Sequence, residues 1–227
     1  MSAVPVERLE RIEAAGFRWW TRPGTSDETA VDEVAVRRTY WRRDFHVEPG
    51  ERWLDAGANM GAFAVPAVAA GAEVVCYEPW PESADLVRRN LRENGLRARV
   101  IEKAVALEGG VARLGIAKSV WRHSLLRTRG RGVSVPVVAF ADAIAGMDAA
   151  KLDIEGAEIE LLQRADDFGS LRKLVFEWHF DYERATDVYL ATLDRLREHF
   201  DEVSGRKVKP GIDYVWFPPS AVVRCRR

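Results

Sequence analysis

The chain has 227 residues, with 34 Lys and Arg against 35 Asp and Glu, a formal net charge of −1 and 47% hydrophobic residues. That length supports one sizeable core, the hydrophobic content excludes a disordered chain, and the balanced charge excludes a polyanionic partner, nucleic acid included, held by bulk electrostatics. Two cysteines, Cys76 and Cys225, are too few for a disulfide framework or a Cys-rich zinc site. With no apolar run approaching a membrane span and no leader-like start, a soluble, unprocessed, cytoplasmic protein without a membrane partner is expected.

In chain order, residues 6–16 (VERLERIEAAG) place Val6, Leu9 and Ile12 on one helical face and stop at Gly16, which predicts a short amphipathic helix. After Trp19 and Trp20, RPGTSDE leads into a second helix that Ser26 or Asp27 can cap, with Val31, Val34 and Ala35 on one face, running towards Tyr40 and Trp41. Residues 1–45 are therefore read as a helical lid on a domain of residues 46–227. Trp19, Trp20 and Trp41 either pack beneath that lid or form a homodimer surface.

From residue 46 the pattern alternates. The strand and turn RWLDAGANMG (52–61) precede an apolar helix over 60–70, then come the strand EVVCYEP (73–79), a helix from Pro81 to Asn94, and the strand RVIEKAVA (99–106). Residues 107–140 change to β-like pieces, VARLGIA, SLLRT and VSVPVVAF, read as a β insertion. Strand and helix resume with AAKLDIEGAEIELLQ (149–163), SLRKLVFEWHF (170–180) and DVYLATLDRLREHF (187–200), with closing strands near 201–206 and 213–217. This is the order of a doubly wound α/β sheet of about seven strands.

The glycine turn and the strand-end acids carry the chemistry. Gly57 and Gly61, bracketing Asn59, let backbone approach a ligand at a helix start. Glu78, about 20 residues on, can accept hydrogen bonds from both hydroxyls of a ribose. Asp55, Glu78, Asp153, Glu155, Glu177 and His179 all fall at strand ends, where an open α/β sheet binds its ligands. A dehydrogenase shares this layout, but its turn is usually G-x-G-x-x-G and here it is D-A-G-A-N-M-G.

WLDAGANMGAFA, YEPWPES, the AVA segment at Ala104 and KLDIEGAE (151–158), with RPGTSDE as a lead-in, resemble the FkbM-type S-adenosylmethionine-dependent methyltransferases over roughly residues 21–180. The resemblance implies a Rossmann-like class I methyltransferase sheet, seven-stranded with the last strand antiparallel, and S-adenosylmethionine as cofactor. It also implies methyl transfer to a small-molecule or sugar hydroxyl. Asp55, Gly57, Asn59, Gly61, Glu78, Ala104 and Asp153 are then the cofactor-binding set, Asp55 anchoring the methionine end directly or through water. Trp80 departs from the family pattern and either stacks on adenine or roofs the pocket.

His179 is the candidate general base, with Glu177 on the same strand face to orient it. Glu158, at a helix start, has a structural explanation in the helix dipole. Asp153 and Glu155 position substrate, bind its amine or hydroxyls, or join Glu177 and His179 around a divalent ion. No compact ligand motif requires that ion and none is assigned. The Arg-rich run 122–131 either meets a substrate anion or is a solvated loop. The clustered acids leave an alternative, N-methylation of a cationic amine or guanidinium group. Two further alternatives are an NAD-dependent oxidoreductase and a non-catalytic α/β binding module.

Overall fold

The computed structural model describes residues 9–41, 45–115, 124–125, 131–180, 186–209 and 220–227. Its centre is a seven-stranded sheet built from β3 (Arg52–Ala56), β4 (Glu73–Tyr77), β5 (Arg99–Ile101), β9 (Ala149–Leu152), β10 (Lys173–His179), β11 (Glu202–Ser204) and β12 (Ser220–Arg226). The spatial order is β11-β12-β10-β9-β3-β4-β5, with β3, β4, β5, β9 and β10 parallel and β12 antiparallel to both its neighbours. The order reverses at β3, between β4 and β9, so the crevice above the carboxyl ends of those strands is the switch point of a doubly wound fold. β3 and β9 are covered on both faces, and every residue of β9 is buried, as parallel central strands require.

Helices cover both faces: α2 (Ala64–Ala69), α3 (Pro81–Glu93), α4 (Phe140–Ala143), α5 (Ala157–Arg164) and α6 (Thr186–Leu196). α3 starts with Pro81 in its first turn, where the missing N–H costs nothing. It buries Ala84, Val87 and Leu91 along one stripe and passes into Asn94 and Gly95. The expected strand 99–106 is two strands. β5 closes the main sheet, while β6 (Ala104–Ala106) joins β7 (Gly110–Gly115) and β8 (Gly132–Ala139) in a separate three-stranded sheet, the expected insertion. Most of SLLRT and the 213–217 strand lie outside the described residues; the last described strand is 220–226.

The N-terminal helix expected over residues 6–16 is instead a hairpin of β1 (Glu10–Ala14) and β2 (Phe17–Thr21) in its described part. Ala15 and Gly16, both at positive φ (55° and 80°), form the two-residue turn that matches strand twist, so Gly16 is a hairpin corner and not a helix stop. Alternation accounts for the pairing: Ile12 faces Trp19, whose ring is fully buried. The free backbone edge of β2 docks on α3 through two amide side chains. Asn90 accepts from the Trp20 N–H at 2.7 Å, Asn94 accepts from the Arg18 N–H at 2.9 Å, and each donates back to the carbonyl of the same residue.

The second helix is present as α1 (Asp27–Ala30) continuing into a π-helical turn, Val31–Val36. Ser26 makes no side-chain cap bond. Asp27 is fully buried and receives the backbone N–H and the guanidinium of Arg22. Trp19 is buried and Trp20 and Trp41 half-buried, Trp41 against Phe63, so these rings belong to the core between this segment and the sheet. No helix among the described residues is long and apolar enough to cross a membrane.

Gly57 shows how tightly the glycine turn meets β9. A Cβ there would lie 1.8 Å from the Asp153 carbonyl oxygen, and its φ is 75°. At Gly95, φ is 68° but nothing lies within 4 Å. Gly57→Ala is expected to cost about 3 kcal/mol or more in urea unfolding, steric displacement adding to the left-handed backbone penalty, and Gly95→Ala about 1 to 2 kcal/mol. Equal losses would show that the approach to Asp153 is not a constraint.

Candidate active site

The turn after β3 is held from below. Gly57 and Ala58 donate their N–H groups to the Tyr77 carbonyl at 2.9 and 3.2 Å, and Lys151, from β9, donates to the Gly57 carbonyl at 2.8 Å. Lys151 is buried, with Nζ 3.1 Å from Asp55 Oδ1 on the adjoining strand and 3.7 Å from Asp153 Oδ2. Burial opposes the lysine's charge, but Asp55 and Asp153 outweigh it and raise its pKa; burial raises that of Asp55, against the pull of Lys151. Asp55 is fully buried beneath the turn.

Above the turn lies a cleft walled by Gly57, Asn59, Glu78, Ala104, Asp153 and Glu155 among others. It encloses about 60 Å³, with Leu114 and Leu125 of the insertion also in its wall. Ligand sites usually span a few hundred Å³, so a nucleoside ligand has to push this wall outward. Asp55, Gly61 and Trp80 lie outside this wall. Trp80 packs instead against Ala104, Leu114, Val135 and Val137 of the small sheet. Glu78 is buried, and its two oxygens accept from the Asn59 and Trp80 N–H groups at 2.8 and 2.9 Å. Burial nevertheless pushes its pKa to about 7.

Arg22 braces the same corner from the N-terminal segment. Its guanidinium reaches Asp27 Oδ1 at 2.7 Å, Ser83 Oγ at 2.9 Å and Asn59 Oδ1 at 3.1 Å, all but Asn59 buried. Asn59 itself sits at φ 50°. RPGTSDE carried this hub in plain view, yet only a helix cap and a family lead-in were read from the sequence, and not the Arg22 contacts.

At the ends of β9 and β10 the acids converge. Glu155 and Gly156 take successive left-handed conformations, φ 53° and 96°, which turn the Glu155 carboxylate inward and start α5. Burial pushes Glu155 to about 8, His179 opposing. His179 Nδ1 is 2.7 Å from Glu158 Oε1, and its Nε2 is 3.8 Å from Asp153 and 3.9 Å from Glu155. The partner expected for His179 was Glu177; the structure gives that place to Glu158, fully buried on the first turn of α5, whose other oxygen accepts the Gly156 N–H. Glu177 turns to the Tyr40 hydroxyl at 3.0 Å and to the Ser220 hydroxyl. The Tyr40 hydroxyl also lies 3.0 Å from Asp153 Oδ2.

Burial alone would lower the His179 pKa, but Glu158, then Asp153 and Glu155, raise it well above 6.5. The carboxylates around the ring therefore favour its protonated form. Because its folded pKa is raised, its contribution to stability is complete below about 6.5 and disappears as pH rises through the folded value. Asp153, Glu177 and His179 can each bring one ligand atom within 4.8 Å of the others, a set of O and N donors that suits a hard or borderline divalent cation.

A doubly wound sheet with an antiparallel β12, a glycine turn and a buried acid after β4 defines a class I methyltransferase. Solved structures agree on the fold. An S-adenosylmethionine-dependent methyltransferase from Agrobacterium tumefaciens superposes with TM-score 0.56 at 12% identity, over 96% of this chain and 70% of that one. TYW2 from M. jannaschii, in complex with AdoMet, gives 0.54 at 14% identity, over 96% and 85%. A Pyrococcus abyssi tRNA (uracil-54, C5)-methyltransferase bound to S-adenosyl-L-homocysteine gives 0.52 at 14% identity, this chain spanning 44% of its length. The profile of the methyltransferase FkbM domain matches residues 55–203, and the chain belongs to that family. A curated relative, the 31-O-demethyl-FK506 methyltransferase FkbM of Streptomyces tacrolimicus, is 27% identical over 188 residues, covering 65% of this chain and 72% of its own.

Glu158→Gln is expected to lower the His179 pKa by at least about one unit, because it removes the largest of the charges that oppose burial. NMR titration of the imidazole C–H resonances reads this. An unchanged value would show that Glu158 does not hold the charge.

Proposed function

We propose that the chain transfers a methyl group from S-adenosylmethionine to a hydroxyl of a small molecule. The observation that carries this reading is Glu78, a buried carboxylate beside the glycine turn and in the cleft wall. Once ionised it accepts hydrogen bonds from a ribose diol, while the Gly57–Gly61 backbone approaches the rest of the nucleoside. S-adenosylmethionine supplies an electrophilic methyl on a sulfonium cation. Asp153, also in the cleft wall, suits that positive charge, and a cation beside Glu155 favours ionisation of its carboxyl.

For a neutral hydroxyl acceptor, His179 is the group that removes the proton, oriented by Glu158. It does so from its neutral form, which a neighbouring cation favours. The FkbM relative is named for an O-demethyl substrate, which supports oxygen as the acceptor atom. The net charge of −1 and the acid-lined site argue against the nucleic-acid substrates named for some structural neighbours. One observation favours a second reading, N-methylation: four carboxylates, Asp153, Glu155, Glu158 and Glu177, surround His179 and suit a cationic amine. A cytoplasmic setting is inferred from the two free, buried thiols.

Calorimetry with S-adenosylhomocysteine tests the cofactor. Wild type should bind it, and Glu78→Ala should weaken binding at least about tenfold, or about 1.4 kcal/mol. Below pH 7 binding should release a proton from Glu78, seen as a dependence of the heat on buffer ionisation enthalpy. No binding by folded protein would end the methyltransferase reading.

His179→Ala should lower turnover by about 10² to 10⁴ with S-adenosylhomocysteine affinity little changed. The turnover of wild type should rise with pH through a value above 6.5. Unchanged turnover in the variant would remove His179 from the mechanism. A radiolabelled methyl donor offered to matched alcohols and amines decides between the two acceptor readings.

A further inference from the structure

A second cavity, of about 270 Å³, is walled in part by Glu177 of the acid cluster, which is not in the wall of the cofactor cleft. The π-helical turn after α1 gives it Glu33 and Val34, the residues that follow give Arg37 and Tyr40, and the sheet gives Glu177, Ser220 and Val222. The two spaces share one partition. Asp153 lines the cleft and Glu177 lines the cavity. The Tyr40 hydroxyl stands between their carboxylates, 3.0 Å from each.

A tyrosine hydroxyl has one proton to give, so it satisfies one of these carboxylates as donor and not both. The arrangement is a seat for a single hydroxyl group between two acceptors, and a protein side chain occupies it. The cavity beyond is polar without a surplus cation. Arg37 is paired to Asp32 at 2.7 Å and Glu33 adds a carboxylate, which together disfavour an anionic occupant; Ser220 donates to Glu177, and Val34 and Val222 supply apolar walls.

We propose that this cavity is the methyl-acceptor site and that its occupant is a neutral, hydroxyl-bearing small molecule, whose reacting hydroxyl takes the seat that Tyr40 fills. This deepens the methyl-transfer reading and rests on it. The seated oxygen forms its bond to the methyl carbon as the carbon–sulfur bond breaks and that electron pair stays on sulfur. The acceptor proton passes to neutral His179, which has a ligand atom within 4.8 Å of both carboxylates. The N-terminal segment thus contributes a wall of the acceptor site from outside the stretch matched by the family profile, residues 55–203.

The test uses two probes on the full chain: S-adenosylhomocysteine, and a sulfonium analogue of the cofactor carrying a 4-hydroxybutyl chain in place of the methyl. The chain of the analogue has to enter the second cavity. Val34→Trp and Val222→Trp fill that cavity from different walls, and neither residue is fully buried. Each should weaken the analogue at least about tenfold while S-adenosylhomocysteine affinity stays within about twofold. Two variants on separate elements keep the result readable if one fails to fold. The proposal is overturned if a folded variant weakens neither probe or both alike, or if wild type binds S-adenosylhomocysteine and rejects the analogue. A wild type that binds neither probe overturns the methyl-transfer reading instead.

Discussion

A buried lysine organises this protein. Lys151 sits in the middle of the sheet, beside Asp55 in register on β3, and reaches up to the Gly57 carbonyl. An ammonium group there is tolerable only because a carboxylate and a backbone oxygen take over from water. The same contacts that remove the desolvation penalty fix the height of the glycine turn against β9. The aromatic ring of Tyr40 covers the site from above, its centroid 5.6 Å from Nζ. Cofactor cleft, acid cluster and acceptor cavity are thus arranged around one charge that none of them exposes.

Two layers rest on that foundation. The sheet and its connections supply Glu78, Asp153, Glu155, Glu177 and His179 at carboxyl ends of strands or just beyond them, and Glu158 on the first turn of α5. The N-terminal segment supplies Arg22, which ties Asp27 and Ser83 to Asn59, and Tyr40, which caps the acids. Shared by proteins with many substrates, the sheet fixes where chemistry occurs, and the added segments shape what reaches it.

Much of this was legible in the sequence because strand ends in a doubly wound sheet converge by topology. Alternation of strands and helices located Glu78, Asp153 and the Glu177–His179 face without any tertiary information. The N-terminal hairpin was missed because Val6, Leu9 and Ile12, three residues apart in VERLERIEAAG, satisfy a helical period locally. Its pairing is decided by Trp19 and by the amides of Asn90 and Asn94, more than 70 residues away. The Glu158–His179 contact was missed for a different reason. Helix-start acids have an adequate local explanation, and only the left-handed pair Glu155–Gly156 brings that one under the imidazole. Lys151 stood in the KLDIEGAE motif, but a lysine in an apolar strand does not announce which acid neutralises it. Asp55, read as a cofactor contact, is that acid, and it lies outside the cleft wall.

The most direct test of this account is a double-mutant cycle on the buried pair, Lys151→Met, Asp55→Asn and both together, followed by urea unfolding. Lys151→Met alone should cost about 3 to 5 kcal/mol by leaving a buried carboxylate uncompensated, and adding Asp55→Asn should recover a substantial part of that loss. A Lys151→Met protein within about 0.5 kcal/mol of wild type, or losses that simply add, would contradict the claim that this charge holds the site together.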